Sequence, residues 1–112
     1  MKKILKTLTR GACIKVSFNP IRGHEQAGYR LALVISNQEF HEATGFALCI
    51  PITSKVTGLL FEIQISGKKM SGVALAHGSR MLDLMEREFY VVEYADVEVV
   101  RRAQTILKKI VD

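Results

Sequence analysis

The alternation of apolar and polar side chains predicts a chain built mostly of short strands. In a strand, successive side chains point to opposite faces, so a half-buried strand has a hydrophobic period of two. Residues 13–18 (CIKVSF) alternate in this way, whereas 30–36 (RLALVIS) is more continuously apolar, which is typical of a central strand. Further strands are predicted at 46–53, 59–66, 73–77 and 89–94. We expect 59–66 and 73–77 to form a hairpin across the turn GKKMSG.

The C-terminal segment changes period and predicts an amphipathic helix. Its apolar residues recur every three or four positions, as on one face of a helix. The predicted buried stripe consists of Val97, Val100, Ala103, Leu107 and Ile110. Asp96 near the start and Lys108 and Lys109 near the end suit the helix dipole.

Three smaller features complete the pattern. Turn-forming residues at both ends of 37–45 frame a single predicted helical turn. A second helical turn is predicted at 79–88, with four apolar side chains facing inward: Met81, Leu82, Leu84 and Met85. Pro51 is expected to end or bulge the strand 46–53, because proline cannot donate a ladder hydrogen bond.

Composition and length place these elements in one small domain, residues 1–112. The chain is 48% hydrophobic and 24% charged, which is ordinary for a globular protein. Six short strands with a closing helix predict a mainly β fold: a small, strongly curved antiparallel sheet or partial barrel with a C-terminal α-helix and short helical turns. Cys13 and Cys49 lie in apolar runs and are expected to be buried, unpaired thiols in a reducing compartment.

Residues 1–10 are interpreted as a basic N-terminal arm of a cytoplasmic protein. Lys6 and Arg10 interrupt what would otherwise resemble the apolar stretch of a signal peptide. No run approaches the ~20 apolar residues that a membrane span requires, so no membrane association is expected.

The positive charge is concentrated in the first half of the chain. The net charge is +5; residues 1–55 contain eight Lys and Arg against three Glu, and residues 56–112 contain eight against eight Asp and Glu. A localised basic excess is typical of proteins that bind phosphate backbones or acidic polypeptides. A generic solvated surface would give the same count.

The segment NPIRGHEQAGYR, residues 19–30, concentrates the groups with chemical potential. Its polar side chains offer an acid or base, hydrogen-bonding groups and two guanidinium groups suited to phosphate: His24, Glu25, Gln26, Arg22 and Arg30. Gly23 and Gly28 allow backbone conformations that other residues resist. A loop of this length in a compact domain favours function, although solvated polar residues are the simpler interpretation.

Several motifs in order resemble the MazF/PemK/ChpB family of toxin ribonucleases. They are SFNPIRGHEQAGYR, LALVIS, PITSK, GVALA and RMLDL, and the resemblance extends from about Gly11 to the last helix. It implies a homodimer of SH3-like or CcdB-like barrels, restrained by an acidic antitoxin. It also implies sequence-specific cleavage of single-stranded RNA without a metal or cofactor, leaving a 2′,3′-cyclic phosphate and a 5′-hydroxyl.

The resemblance also implies roles for individual residues. Arg30 matches the family's essential arginine and is expected to bind the scissile phosphate, and Thr53 matches the essential threonine. Because the RNA 2′-hydroxyl is the nucleophile, the protein must supply only a base, an acid and a cation. His24 and Glu25 both remain candidates for proton transfer. Further RNA contacts are expected from Asn19, Arg22, Gln26, Ser54, Lys55, His77 and Arg80.

One departure from the family leaves an alternative open. Relatives typically carry Asp or Asn followed by Gln where this chain has His77 and Gly78. The base preference is therefore expected to differ, and His77 is a further, less favoured candidate for proton transfer. The alternative function is a non-catalytic or weakly active module of the same fold that binds RNA or an antitoxin. Action on DNA gyrase, as by the fold relative CcdB, has no support beyond shared architecture.

Overall fold

A computed structural model describes residues 3–17, 29–56, 58 and 60–112. The fold is mainly β, as predicted. Seven strands form one antiparallel sheet: β1 Ala12–Ser17, β2 Tyr29–Val34, β3 Phe46–Thr53, β4 Glu62–Ser66, β5 Ser71–Leu75, β6 Arg80–Asp83 and β7 Phe89–Tyr94. Two α-helices, α1 Gln38–Thr44 and α2 Val97–Val111, and short 3₁₀ helices at Lys3–Lys6 and Ala76–Gly78 complete the described chain.

The strands are ordered β4-β5-β3-β2-β1-β7, and β6 pairs with β3. The outer strands of this order nevertheless approach each other. Glu93 on β7 accepts hydrogen bonds from the backbone N–H groups of Lys68 and Lys69, in the turn between β4 and β5, each at 3.0 Å. The sheet is therefore curled into a half-barrel, which agrees with the predicted strong curvature.

Both faces of the sheet are covered at its central strands β1 and β2. On β1 and β2, Ile14 and Ala32 belong to a first core beneath the N-terminal segment and β6. Cys13 and Leu33 belong to a second core covered by β4, β5 and α2. The prediction of a half-buried β1 is therefore wrong, because the sheet is covered on both sides. The expected hairpin is confirmed by the antiparallel pairing of β4 with β5.

Two residues of the N-terminal segment, Leu5 and Leu8, belong to the first core. Leu5 and Leu8 are fully buried. The side-chain amide of Gln38 donates to the Lys6 carbonyl, and Arg10 Nε donates to the Ile35 carbonyl at 3.0 Å. Residues 5–10 therefore pack against α1 and the end of β2, with Leu5 and Leu8 in the first core.

The helix α1 extends the single turn predicted at 37–45. Asn37 caps its start, with Oδ1 accepting from the Phe40 N–H at 2.9 Å. Gly45 ends it in the left-handed conformation, with φ +78°. Inside α1, His41 is fully buried: Nδ1 lies 2.8 Å from the Leu8 carbonyl oxygen, and Nε2 lies 2.7 Å from Ser36 Oγ.

The protonation state of His41 follows from these partners. Because a carbonyl only accepts, Nδ1 carries the proton and Nε2 accepts from the Ser36 hydroxyl. Ser36 Oγ in turn accepts the Leu48 N–H at 2.8 Å. Burial lowers the pKa of His41, and the positive charge of Arg10 adds to this effect against the opposing Leu8 hydrogen bond. His41 is thus a neutral buried connection between the N-terminal segment, α1 and β3.

The helical turn predicted at 79–88 is wrong, because residues 80–83 form β6. Leu82 pairs with Ala47 of β3, and both Leu82 and Leu84 are fully buried. Met81 and Met85 are 47% and 40% exposed. Burial every second residue is the period of a strand, and the free edge of β3 supplies the partner that the local sequence does not reveal.

Pro51 lies within β3, so the prediction that it ends or bulges the strand is also wrong. One edge of β3 pairs continuously with β2, with Ala32 opposite Pro51. The other edge pairs with β6 through Cys49 and with β5 only from Ile52. Pro51 occupies the gap between these two partners, where its missing N–H breaks no ladder.

The C-terminal helix is confirmed, but its buried stripe is shifted from the prediction. Ala103 is buried, whereas Val97 and Ile110 are 70% and 49% exposed. The residues that pack on the second core are Val99, Val100, Ala103, Ile106 and Leu107. These core-packing residues lie between Val99 and Leu107, and Val97 and Ile110 nearer the two ends of the helix are exposed.

Both cysteines are buried and unpaired, as predicted. They lie in different cores, on opposite faces of the sheet. Burial raises the pKa of Cys13 to about 11, with a further increase from Glu93, and burial raises the pKa of Cys49 to about 12. Within the described residues, no helix is long and apolar enough to cross a membrane.

Candidate functional site

Arg30 and Thr53 lie at the same end of two neighbouring strands. Leu31 of β2 pairs with Ile52 of β3, and the antiparallel register, continued by one residue, puts Arg30 opposite Thr53. Cross-strand neighbours have Cβ atoms roughly 5 Å apart. Each residue is also fixed on its other side, because Arg30 pairs with Val16 and Thr53 with Val73.

The two side chains also project from the same face of the sheet. Arg30 is two residues from Ala32, and Thr53 is four residues from Cys49; both of these residues belong to the first core. Side chains separated by an even number of residues share a face of a strand. Arg30 is exposed and Thr53 half-buried, which places the pair at the rim of the first core.

The local bonding leaves both groups able to bind an anion. Thr53 Oγ1 accepts the backbone N–H of Lys55 at 3.2 Å, which turns the chain after β3 and leaves the hydroxyl proton to donate elsewhere. The side chain of Arg30 is exposed at this strand end, and its guanidinium offers only donors. A guanidinium and a hydroxyl donor on one face form a suitable site for a phosphodiester.

The structure describes four of the other residues that were expected to contact RNA: Ser54, Lys55, Arg80 and His77. Ser54 and Lys55 are exposed directly after Thr53 and share its location. Arg80 pairs with Cys49, four residues up β3 and therefore about 13 Å from Thr53 along the strand. His77 lines a groove of about 580 Å³ together with Phe61 and residues of α2. The structure therefore brings His77 beside α2.

Five expected site residues lie in the segment 18–28, outside the described residues: Asn19, Arg22, His24, Glu25 and Gln26. The residues on either side of this segment are described, and Ser17 of β1 pairs with Tyr29 of β2. The choice between His24 and Glu25 for proton transfer stays a prediction.

Arg87 holds the base of this site and was not among the expected residues. Its Nη1 donates to the Ser17 carbonyl at 2.8 Å, and the Ser17 N–H donates to the Glu88 carbonyl at 3.1 Å. Ser17 itself is buried. Arg87 is separated from Ser17 by 70 residues, so only the pairing of β1 with β7 could reveal the contact.

Among the described residues, no three His, Cys, Asp or Glu side chains are grouped as metal ligands would be. The donors that the described part of the site presents are an arginine, hydroxyls and a lysine, which bind oxyanions through N–H and O–H groups. The electrostatic character of the site is cationic.

The described chain is thus a curled antiparallel half-barrel with a C-terminal helix. It carries an arginine and a threonine at the ends of two adjacent strands. A family model described as the PemK-like, MazF-like toxin of type II toxin-antitoxin systems matches residues 9–111. This chain belongs to that family.

Individual relatives agree with this assignment. The chain is 46% identical over 66 residues to the endoribonuclease toxin MazF of Escherichia coli K12, a match that spans 59% of this chain and 60% of that protein. It is 35% identical over 109 residues to the endoribonuclease toxin ChpB of the same strain, covering 92% and 93% of the two chains. A crystal structure of MazE-MazF from Deinococcus radiodurans superimposes with a TM-score of 0.80 at 27% identity, covering 93% of this chain and 94% of that one.

Proposed function

We propose that this chain is the toxin of a toxin–antitoxin system and a metal-independent, sequence-specific endoribonuclease that cleaves single-stranded RNA. The observation that carries the proposal is the position of Arg30 and Thr53 at one end of β2 and β3, on one face of the sheet. Membership of a toxin family and two relatives named endoribonuclease toxins support it.

In the proposed mechanism, the RNA 2′-hydroxyl attacks the adjacent phosphorus. The P–O5′ bond breaks, and the products are a 2′,3′-cyclic phosphate and a 5′-hydroxyl. Arg30 stabilises the negative charge that develops on the phosphoryl oxygens, and the Thr53 hydroxyl donates a hydrogen bond to one of them. His24 and Glu25 are the candidates to accept the 2′-hydroxyl proton and to protonate the leaving oxygen. This route requires no metal or cofactor, because the substrate supplies its own nucleophile.

A cleavage assay tests this proposal. The purified protein is incubated with a long single-stranded RNA in EDTA, and discrete fragments with 2′,3′-cyclic phosphate ends are expected. Arg30→Ala should abolish the cuts, because it removes the cation from the site. The matched control is Arg102→Ala, which removes an exposed arginine from α2, the helix that covers the opposite face of the sheet. Intact RNA with the wild-type protein would contradict the proposal.

The alternative function, a non-catalytic module that binds RNA or an antitoxin, is favoured by one observation. A Cβ at Gly78 would lie 2.9 Å from Pro51 Cγ. The backbone here does not accommodate, without a shift, the glutamine that the family resemblance leads one to expect. Binding to RNA that weakens with salt, without cleavage, would favour this alternative over the nuclease.

The proposed partners follow from the family and the charge. An acidic antitoxin is expected to bind this chain, because the related MazF of Deinococcus radiodurans was crystallised together with MazE. The net charge of +5 favours both an acidic polypeptide and RNA. A homodimer in the cytoplasm is the proposed active form, and the molar mass in solution, measured by light scattering, tests it against 12.5 kDa for the monomer.

A further inference from the structure

We propose that Gly72 is a positioning residue for the Thr53 hydroxyl. Gly72 is the second residue of β5 and directly precedes Val73, the partner of Thr53. The inference rests on the proposed function, in which Thr53 contacts the scissile phosphate. In this inference Gly72 does not contact the RNA but determines the position of the Thr53 hydroxyl.

The backbone of Gly72 fits against Thr53 only because Gly72 has no side chain. A Cβ at this position would lie 2.5 Å from the Thr53 carbonyl oxygen and 3.1 Å from its carbonyl carbon. Separations under 3.0 Å are essentially never found for real Cβ atoms. Gly72 also has φ +153°, which L side chains rarely adopt. A methyl group would therefore push on the backbone of Thr53 itself.

The clash at Gly72 has no flexible side chain to absorb it. At Gly45 the nearest atoms belong to the Met85 side chain, and at Gly11 the nearest is Val100 Cγ2 at 3.2 Å. At Gly72 the two nearest atoms are both backbone atoms of Thr53. Relief must therefore move the end of β3, or the start of β5 that pairs with it.

A movement of the β3 end is transmitted to the hydroxyl. Thr53 is the last residue of β3, and its Oγ1 holds the Lys55 N–H at 3.2 Å. To restore a separation of 3.0 Å, the atoms must move apart by at least 0.5 Å, the difference from 2.5 Å. Catalytic groups must hold their geometry to about 0.5 Å, and a misplacement of about 1 Å lowers rates by up to about 100-fold.

The test is a double-mutant cycle on RNA cleavage with Gly72→Ala, Thr53→Ala and the combined variant. We expect Gly72→Ala to lower kcat about 10- to 100-fold with a smaller effect on KM. In the Thr53→Ala background, the same change should cost less than about threefold, because the group that it misplaces is already absent. Equal effects of Gly72→Ala in both backgrounds would overturn the inference.

Gly11→Ala is the matched control. Gly11 also has a positive φ, +99°, and its Cβ would meet only Val100 and, at 3.9 Å, the Ala95 carbonyl oxygen. The substitution should lower stability while leaving kcat within about twofold of wild type, because it does not touch β3. Urea unfolding of both variants confirms that they are folded under the assay conditions.

A measurement independent of activity separates this inference from the proposed function. The Thr53 methyl signal, followed by NMR with methyl-labelled threonine, should shift in Gly72→Ala and stay in place in Gly11→Ala. An unmoved Thr53 methyl in Gly72→Ala overturns the inference even if the wild type cleaves RNA. Intact RNA with the wild type overturns the proposed function and the catalytic part of the inference, whereas the methyl shift still reports on the contact between Gly72 and Thr53.

Discussion

Arg30 and Thr53 bring different chemistry to the same strand ends. Arg30 carries a permanent charge and lies exposed at the rim. Thr53 is half-buried, and its oxygen already accepts the Lys55 N–H, so its hydroxyl proton has a restricted range of directions. In the proposed function the arginine therefore supplies charge and the threonine supplies a directed hydrogen bond.

At this scale we predict that Thr53→Ser retains cleavage within about fivefold, whereas Thr53→Ala lowers kcat about 10²- to 10³-fold. Serine keeps both the acceptor for Lys55 and the O–H donor, and alanine removes both. The measurement is single-turnover cleavage of a defined RNA. Thr105→Ala is the control, since that hydroxyl donates only to the Arg101 carbonyl on the exposed side of α2. Equal rates for Thr53→Ser and Thr53→Ala would show that the hydroxyl is not used.

At the scale of elements, Glu93 joins parts of the sheet that the strand order separates. Its two carboxylate oxygens accept the consecutive N–H groups of Lys68 and Lys69. Gly67 precedes them, and a Cβ there would collide with the Glu93 carboxylate. The carboxylate thus fixes the β4–β5 turn against β7 and keeps the half-barrel curled.

We predict that Glu93→Gln lowers the free energy of unfolding by about 1 kcal/mol, because an amide has only one oxygen to accept the two N–H groups. Urea unfolding measures the loss, and hydrogen exchange at the Lys68 and Lys69 amides should become faster. Glu98→Gln serves as control: Glu98 forms an exposed ion pair with Arg101 at 2.8 Å, of a kind that contributes little. Equal midpoints for the two variants would contradict a role for Glu93 in holding the sheet.

At the scale of the whole molecule, His41 couples the N-terminal segment to the sheet. It contacts Leu8 on one side and Ser36 on the other, and Ser36 holds the Leu48 N–H. The bonding of all these groups is complete when the imidazole is neutral. The stability of the fold is therefore linked to the protonation of this one buried ring.

We predict that stability falls as the pH drops below 6.5, the ordinary pKa of histidine. The folded state lowers the pKa of His41, so below pH 6.5 the unfolded chain binds a proton that the folded chain resists, and unfolding becomes more favourable. Above this pH His41 is neutral in both the folded and the unfolded state, so its protonation no longer lowers the stability. The slope of the free energy of unfolding against pH reaches at most about 1.4 kcal/mol per pH unit.

Urea unfolding between pH 5 and 8 checks this dependence. His41→Gln should reduce the slope below pH 6.5, and His77→Gln, at an exposed position, should retain it. If both variants have the wild-type slope, carboxylates and not His41 control the acid sensitivity.

The sequence by itself determined the features that depend on neighbouring residues. The apolar runs of β2 and β3, the turn formers at the ends of 37–45 and the amphipathic repeat of α2 are all local patterns, and each element formed at or near the predicted residues. The family could also be recognised, because its motifs are short and ordered. For the site, sequence reasoning could select Arg30 and Thr53 but could not show that they are neighbours.

Only the tertiary structure decided what depends on partners distant in the chain. Residues 80–83 form a strand because they pair with an edge of β3 that no other strand occupies. Pro51 is tolerated within β3 because it lies between the residues that pair with β6 and those that pair with β5. The register of β2 with β3 brings Arg30 and Thr53 to the same end of neighbouring strands. The absence of a side chain at Gly72 matters only because β5 lies against Thr53. The hydrophobic period of a strand predicts which of its side chains are buried, but it does not specify which strands pair. The candidate site depends on that pairing, because its residues lie on different strands.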